Sequence, residues 1–396
     1  MRGGGKMIDT GYLEKFGEER YKNFLIGEKV VQDKIFESPI DKIKMKFLKE
    51  LEKSRSWSPF LYDLYYYCEM LHRIDFFSKY YFHSFVPKAR NIDSVKVIFI
   101  RQGNMFLYNA LNDTINIYRQ DYFKGLEEER DYLILLNDNR KLQEYYGDFH
   151  IMLSLINTGH ALYNLEYILS QYGIKYSRSK KGIFLKNERK FVDISIALEI
   201  DSQQKYYGGS KSIKEQEMAN RFRQRSSGQN RGGDTIVREK MNSQQHESII
   251  SCLLHSNEKH ERIRYWVYVD NIEGSQGGFY RIENNSLKSI SGNERFIYEQ
   301  MLYEYQKFTN LDGLNYWIFF SFNKMQKGFE ELFIEMGYIA QEISVLVAKY
   351  NLAARGMKNY NDYVIKEKFG LNEDDIIGYS IVIFSNNNAS HSIFLE

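Results

Sequence analysis

Two stretches of this sequence line up without a gap. Residues 153–174 (LSLINTGHALYNLEYILSQYGI) stand over residues 331–352 (ELFIEMGYIAQEISVLVAKYNL), with Gly159 on Gly337, an offset of 178. Tyr172 then falls on Tyr350, Ile156 on Ile334, Leu165 on Ile343 and Leu169 on Val347. The apolar matches recur at three- and four-residue spacing, which is the core-facing stripe of a helix. Upstream, residues 106–117 (FLYNALNDTINI) resemble residues 279–290 (FYRIENNSLKSI), with Tyr108 on Tyr280 at an offset of 172. A chance helix match would not bring a preceding hairpin along at nearly the same distance. The chain therefore reads as two copies of one α+β unit.

A length of 396 residues leaves room for roughly two or three domains. The reading divides them as a helical N-terminal segment (1–80), a first copy (81–200), a basic polar linker (201–240) and a second copy (241–396). Aromatic residues make up 16% of the chain, too many for disorder. Strand-rich units use Tyr and Phe as filling. The group YDLYYYCEM (62–70) cannot all be core on one helix, so some of its tyrosines are expected on another surface. VKVIFI (95–100) and the run 314–322 read as buried strands, and 141–172 as one long helix stopped by Gly173.

Charge and cysteine content exclude several classes. A formal net charge of +2 does not describe a surface built to hold nucleic acid. The one basic patch, Arg221, Arg223, Arg225, Arg231, Arg238 and Lys240, lies in the linker-like stretch. Cys68 and Cys252 are too few for a disulfide framework, and His255 and His260 near Cys252 fit no zinc spacing. The N-terminus lacks a signal-peptide core, and no apolar run approaches the ~18 residues of a membrane helix. The expectation is a cytoplasmic protein with no membrane partner; a nucleic-acid-binding adaptor using the 221–240 patch is the least favoured reading.

The second copy carries recognisable text. Residues 264–290 (RYWVYVDNIEGSQGGFYRIENNSLKSI) with 333–357 (FIEMGYIAQEISVLVAKYNLAARGM) resemble the nitroreductase superfamily. The branch most like them is the SagB/ThcOx-type peptide dehydrogenases. The helix motif E-x-G-x-x-x-Q of that group falls on Glu335, Gly337 and Gln341. The resemblance implies tandem nitroreductase-like units, the first degenerate, that pair as homodimers and bind FMN. It implies oxidation of azoline rings to azoles in a ribosomally made, bacteriocin-like precursor peptide, beside a cyclodehydratase. An Arg-x-Ser element ahead of the domain places the FMN phosphate and ribityl on Arg223, Arg225, Ser226 and Ser227. The segment after the helix adds Ala354, Arg355 and Gly356, and a displaced Lys324 stands where some members keep a Lys–Tyr proton-transfer pair. In the first copy that slot holds Tyr145 and Tyr146. The sequence also departs from the pattern. SNEKHERI (256–263) replaces the proline-bearing loop that lies on the flavin, and a C-terminal arginine is replaced within SNNN (385–388). These departures define the alternative: a flavin-free scaffold that binds the peptide or a partner enzyme of the same complex.

Overall fold

The computed structural model describes residues 35–48, 57–75, 82–110, 112–179, 182–187, 189–204, 206, 213–228, 239–275, 277–291, 311, 313–386 and 392–394. The N-terminal MRGGGKM, Arg231 and Arg238 lie outside them. The chain divides into two compact units, one mainly Tyr80–Arg223 with Ile26–Ile74, the other mainly Gln224–Ser392. They are called here the N-terminal and C-terminal units.

The sheet of the N-terminal unit uses β1 (Asp41–Lys44), β2 (Val95–Arg101), β3 (Asn104–Asn109), β4 (Thr114–Arg119), β5 (Arg130–Asp138), β6 (Tyr176–Arg178) and β7 (Val192–Asp201). Its order is β1-β4-β3-β2-β5-β7-β6. The C-terminal unit uses β8 (Arg264–Val269), β9 (Gly278–Glu283), β10 (Ser286–Ser291), β11 (Leu314–Asn323), β12 (Leu352–Met357) and β13 (Asp375–Ser385), in the order β10-β9-β8-β11-β13-β12. Matched by position along the chain, the hairpins, the long central strand and the returning edge pair occur in the same spatial order. The duplication seen in the sequence is thus a duplication of topology.

Both long central strands read as near-continuous apolar runs because the sheet is covered on both faces. In β11 every residue from Leu314 to Phe322 is buried. One face meets the amphipathic α5 (Phe329–Ala348), which buries Phe333, Gly337, Ile339, Ala340 and Ile343. The other carries Trp266, Trp317, Phe319, Tyr360 and Phe369 in one cluster with α6 (Asp362–Phe369). Trp317 Nε1 donates to Ser380 Oγ at 3.0 Å, so the indole is buried without losing its hydrogen bond.

Three sequence expectations change in detail. The single helix over 141–172 is two, α2 (Arg140–Tyr146) and α3 (His150–Gln171), because Gly147 at φ 54°, ψ −139° takes a conformation open only to glycine. The linker-like stretch contains α4 (Ile213–Gln224), a polar helix with too few apolar residues to show a period. In α1 (Ser58–Cys68) two of the four tyrosines are internal. Tyr65 and Tyr67 are core, while Tyr62 and Tyr66 stack on each other at 5.8 Å, part-buried. Among the described residues no helix is long and apolar enough to cross a membrane.

Candidate functional site

The segment that follows α4 folds back onto the edge of the C-terminal sheet. Arg225 and Ser226 are buried there, while Arg223, on the last turn of α4, is exposed. Ser226 supplies its carbonyl oxygen to the backbone N–H of Ala354 on β12, at 2.9 Å. Arg355 then reaches across from β12. Its Nε donates to the Ser227 carbonyl at 2.9 Å and its Nη2 to the Gly228 carbonyl at 3.3 Å. Arg225 Nη1 lies 3.4 Å from Ser227 Oγ, and the Gly228 N–H donates to Ser226 Oγ at 3.1 Å. Gly228 takes φ 75°, a left-handed turn that lets the segment close over the strand. Withdrawal of the Arg355 guanidinium from water lowers its pKa to about 10.

Five of the residues singled out in the sequence therefore meet: Arg225, Ser226, Ser227, Ala354 and Arg355. Two guanidinium groups and two serines around one tight turn are a donor set that fits the phosphate end of FMN. The neighbouring backbone is already covered. A Cβ at Gly356 would stand 1.7 Å from the Tyr379 hydroxyl, and one at Gly228 would stand 2.6 Å from the Phe384 ring. A flavin ring system would not lie on those two glycines.

Lys324 is not part of this constellation. It follows β11, hydrogen-bonds the Asp374 carbonyl through its own N–H and pairs with the Asp374 carboxylate at 2.7 Å. Ala354 is opposite Ile383, and Ile383 is opposite Tyr316, whereas Lys324 lies just past the Asn323–Asp375 pair. Eight residues of strand, about 26 Å, separate the two places along the sheet. The basic patch is no single face either, since Arg221 pairs with Glu217 at 2.5 Å and Arg225 is buried.

The structure joins residues that the sequence presents in separate contexts. Glu335, the first residue of the helix motif, is hydrogen-bonded to His260 Nδ1 at 2.7 Å. His260 lies in the very segment that replaces the proline-bearing loop. The N-terminal unit, in turn, has a proline in the topologically equivalent loop, Pro87, ahead of β2. That loop continues through Arg90 and Asn91, both left-handed at φ 50° and 57°. Its signal was the proline itself, eight residues before Val95, as Ser256 is eight before Arg264.

No family model matches the sequence, and no curated protein matches it. Solved structures do match its fold. A provisionally named nitroreductase from Anabaena variabilis ATCC 29413 superposes with a TM-score of 0.73 over 95% of this chain and 99% of that one, at 12% identity. A second such protein, from Ralstonia eutropha JMP134, covers 44% of this chain and 84% of its own, at 17% identity and a TM-score of 0.33. The Escherichia coli microcin synthetase complex with a truncated pro-peptide bound covers 38% and 65%, at 12% identity and a TM-score of 0.31. The first of these shows the fold: this chain has the mixed α/β architecture of the nitroreductases along nearly its whole length.

Proposed function

We propose that this protein is an FMN-dependent oxidoreductase that converts azolines to azoles in a ribosomally made, leader-bearing peptide, working as a homodimer beside a cyclodehydratase. The observation that carries this reading is the docking of the Arg225–Gly228 turn on β12. When bound, the flavin supplies a hydride acceptor. In this reading Arg225 and Arg355 bring positive charge to its phosphate, Ser226 and Ser227 orient it, and the Arg355 hydrogen bonds fix the turn before the ligand arrives. In this reading Lys324 takes no part, because its ion pair with Asp374 lies far along the strand from the turn. The test is a visible spectrum of protein desalted after incubation with FMN. Wild type is expected to stay yellow, and Arg225→Ala to bind FMN about tenfold or more weakly, the worth of one charge-assisted contact. Colourless wild-type protein would overturn the reading.

One observation favours a second reading. Tyr379 and Phe384 fill the space over Gly356 and Gly228, as a flavin-free scaffold for peptide or partner enzyme would allow. That reading expects colourless protein that still retains the precursor peptide.

A further inference from the structure

The helix Ser243–Lys259 of the C-terminal unit buries one stripe and leaves an apolar flank beside it. Its inner stripe, Ile249, Leu253 and Ser256, is core. A second flank turns to α5. There Ser256 Oγ donates to the Glu342 carboxylate at 3.2 Å, and Lys259 lies 3.9 Å from the same carboxylate and over the Tyr338 ring. Ile250 and Leu254 belong to neither. They are part-buried and, with His246 and Glu258, form a row at four-residue spacing that lines a cavity of about 480 Å³. Glu247, Ser251 and His255 line it along the neighbouring row, and Asn285, at the turn between β9 and β10, at the Glu258 end. A volume of that size holds a ligand of several residues' side chains.

Both ends of the cavity are held in place. At the helix N-terminus Asn242 and Gln245 form a capping box, the Gln245 N–H donating to Asn242 Oδ1 at 2.9 Å and the Asn242 N–H to Gln245 Oε1 at 3.2 Å. One residue on, the His246 ring stacks on Tyr316, and its Nδ1 meets the Tyr316 hydroxyl. Burial raises the Tyr316 pKa and lowers that of His246. The phenol therefore keeps its proton and donates to Nδ1, which leaves a neutral imidazole with Nε2–H as a free donor. At the other end Asn285 Nδ2 donates to Glu258 Oε1 at 2.5 Å. It does so from a turn in which Asn284 and Asn285 are both left-handed, a conformation asparagine tolerates. Glu258 Oε2, the Glu247 carboxylate and the His255 ring have no hydrogen-bond or ion-pair partner among the described residues.

Charge decides the kind of ligand. The described lining holds two carboxylates, Glu247 and Glu258, and neither lysine nor arginine. The negative end of the helix dipole reinforces Glu258 in the last turn. Lys259, the cation nearest in sequence, is engaged by Glu342 on the other flank. From His246 to Glu258 the helix rises about 18 Å, the span of about five residues of extended chain. A basic side chain suits Glu258, apolar side chains suit Ile250 and Leu254, and a backbone carbonyl suits His246 Nε2–H. We propose that this groove docks an extended peptide segment, with a basic side chain at Glu258 and apolar side chains over Ile250 and Leu254. The site does not rest on the flavin reading and shares no residue with the turn on β12.

The test is fluorescence anisotropy with the full chain and an N-terminally fluorescein-labelled Leu-Gly-Leu-Gly-Lys amide, whose alternate side chains face one side when extended. Saturable binding at one site per chain is expected. Glu258→Gln should weaken it about tenfold, as loss of a hydrogen bond to a charged group does. Glu261→Gln, an exposed carboxylate outside the groove, should leave it unchanged. Ser251→Trp, at an exposed position, fills the groove without touching the core and should abolish binding. A probe with glutamate for lysine should not bind, and one with alanine for both leucines should bind at least about tenfold more weakly. Failure of the lysine probe to bind saturably would overturn the proposal. So would binding that survives Ser251→Trp or Glu258→Gln, equal weakening by Glu261→Gln, or equal binding of either altered probe. Self-association of the unliganded protein that Ser251→Trp abolishes would also overturn it, because the occupant would then be a second copy of this chain.

Discussion

Asp93→Asn is expected to destabilise the N-terminal unit by about 3–5 kcal/mol at pH 7, the cost of leaving buried charges without their partner. Lys88 and Lys96 both close on this carboxylate, with side chains only 5% and 7% exposed. Burial works to raise the Asp93 pKa, and the two lysine charges more than reverse it, holding the group far below the ordinary carboxylate range. A depressed pKa means the contribution is complete above the unfolded value near 3.8 and is lost as the pH falls towards the folded one. The gap between variant and wild type should therefore shrink below about pH 4. Urea midpoints at pH 7, 5 and 3.5 measure it, and equal midpoints at pH 7 would contradict the buried geometry.

The same cluster contains a second carboxyl, shifted in the opposite direction. Glu69 is fully buried at the end of α1 and accepts the Val97 N–H at 2.6 Å. Burial raises its pKa to about 7, opposed by the Lys96 charge. A raised pKa stabilises the folded chain below the unfolded value near 4.5, and that contribution is lost as the pH climbs through about 7. Glu69→Gln keeps an acceptor for Val97 and removes the titration. It should gain stability relative to wild type between about pH 5 and pH 8, read as a rising difference in melting temperature. A constant difference across that range would show that Glu69 does not titrate there.

What the sequence made legible follows from range. β2 and β11 were readable because a strand buried on both faces is an uninterrupted apolar run, and the copies because repeated cores repeat their apolar spacing. The break at Gly147 was hidden because a periodic apolar pattern continues through it, and only the backbone angle shows the stop. α4 was hidden for the opposite reason, having charge in place of a stripe. The site depends on contacts that no local pattern encodes. Arg355 and Ser227 are 128 residues apart, and only the family resemblance placed both beside one phosphate. Counting along the chain also put Lys324 near the flavin, yet the antiparallel register of β11, β13 and β12 sends it to the far end of the sheet. The loop at Pro87 was not legible because the motifs that carry the resemblance lie in the second copy, where the proline is missing. Its left-handed Arg90 and Asn91 have no signature in residue type, since arginine is an unusual choice for that conformation.

Arg355→Met is the substitution that ties the electrostatics of the turn to its proposed ligand. Methionine keeps an unbranched side chain over the Phe384 ring, which the guanidinium carbon approaches to 5.8 Å from the ring centre. It removes the charge and the donors to Ser227 and Gly228. A guanidinium whose pKa has fallen to about 10 through burial is held charged at a cost that neutral carbonyls only partly offset. Removing it should leave the ligand-free melting temperature little changed, while freeing the turn to proteolysis after Arg225. An anion bound at the turn adds the counter-charge, so its stabilisation appears only when Arg355 is present. At a concentration of FMN a hundred times its dissociation constant, wild type should gain about 2.7 kcal/mol. Arg355→Met should gain almost none, a difference readable as the ligand-dependent shift in melting temperature. Equal shifts in the two proteins would remove Arg355 from any phosphate site. No shift in either, with the turn still protected in wild type, would make the clamp a structural fixture and carry the flavin-free scaffold forward.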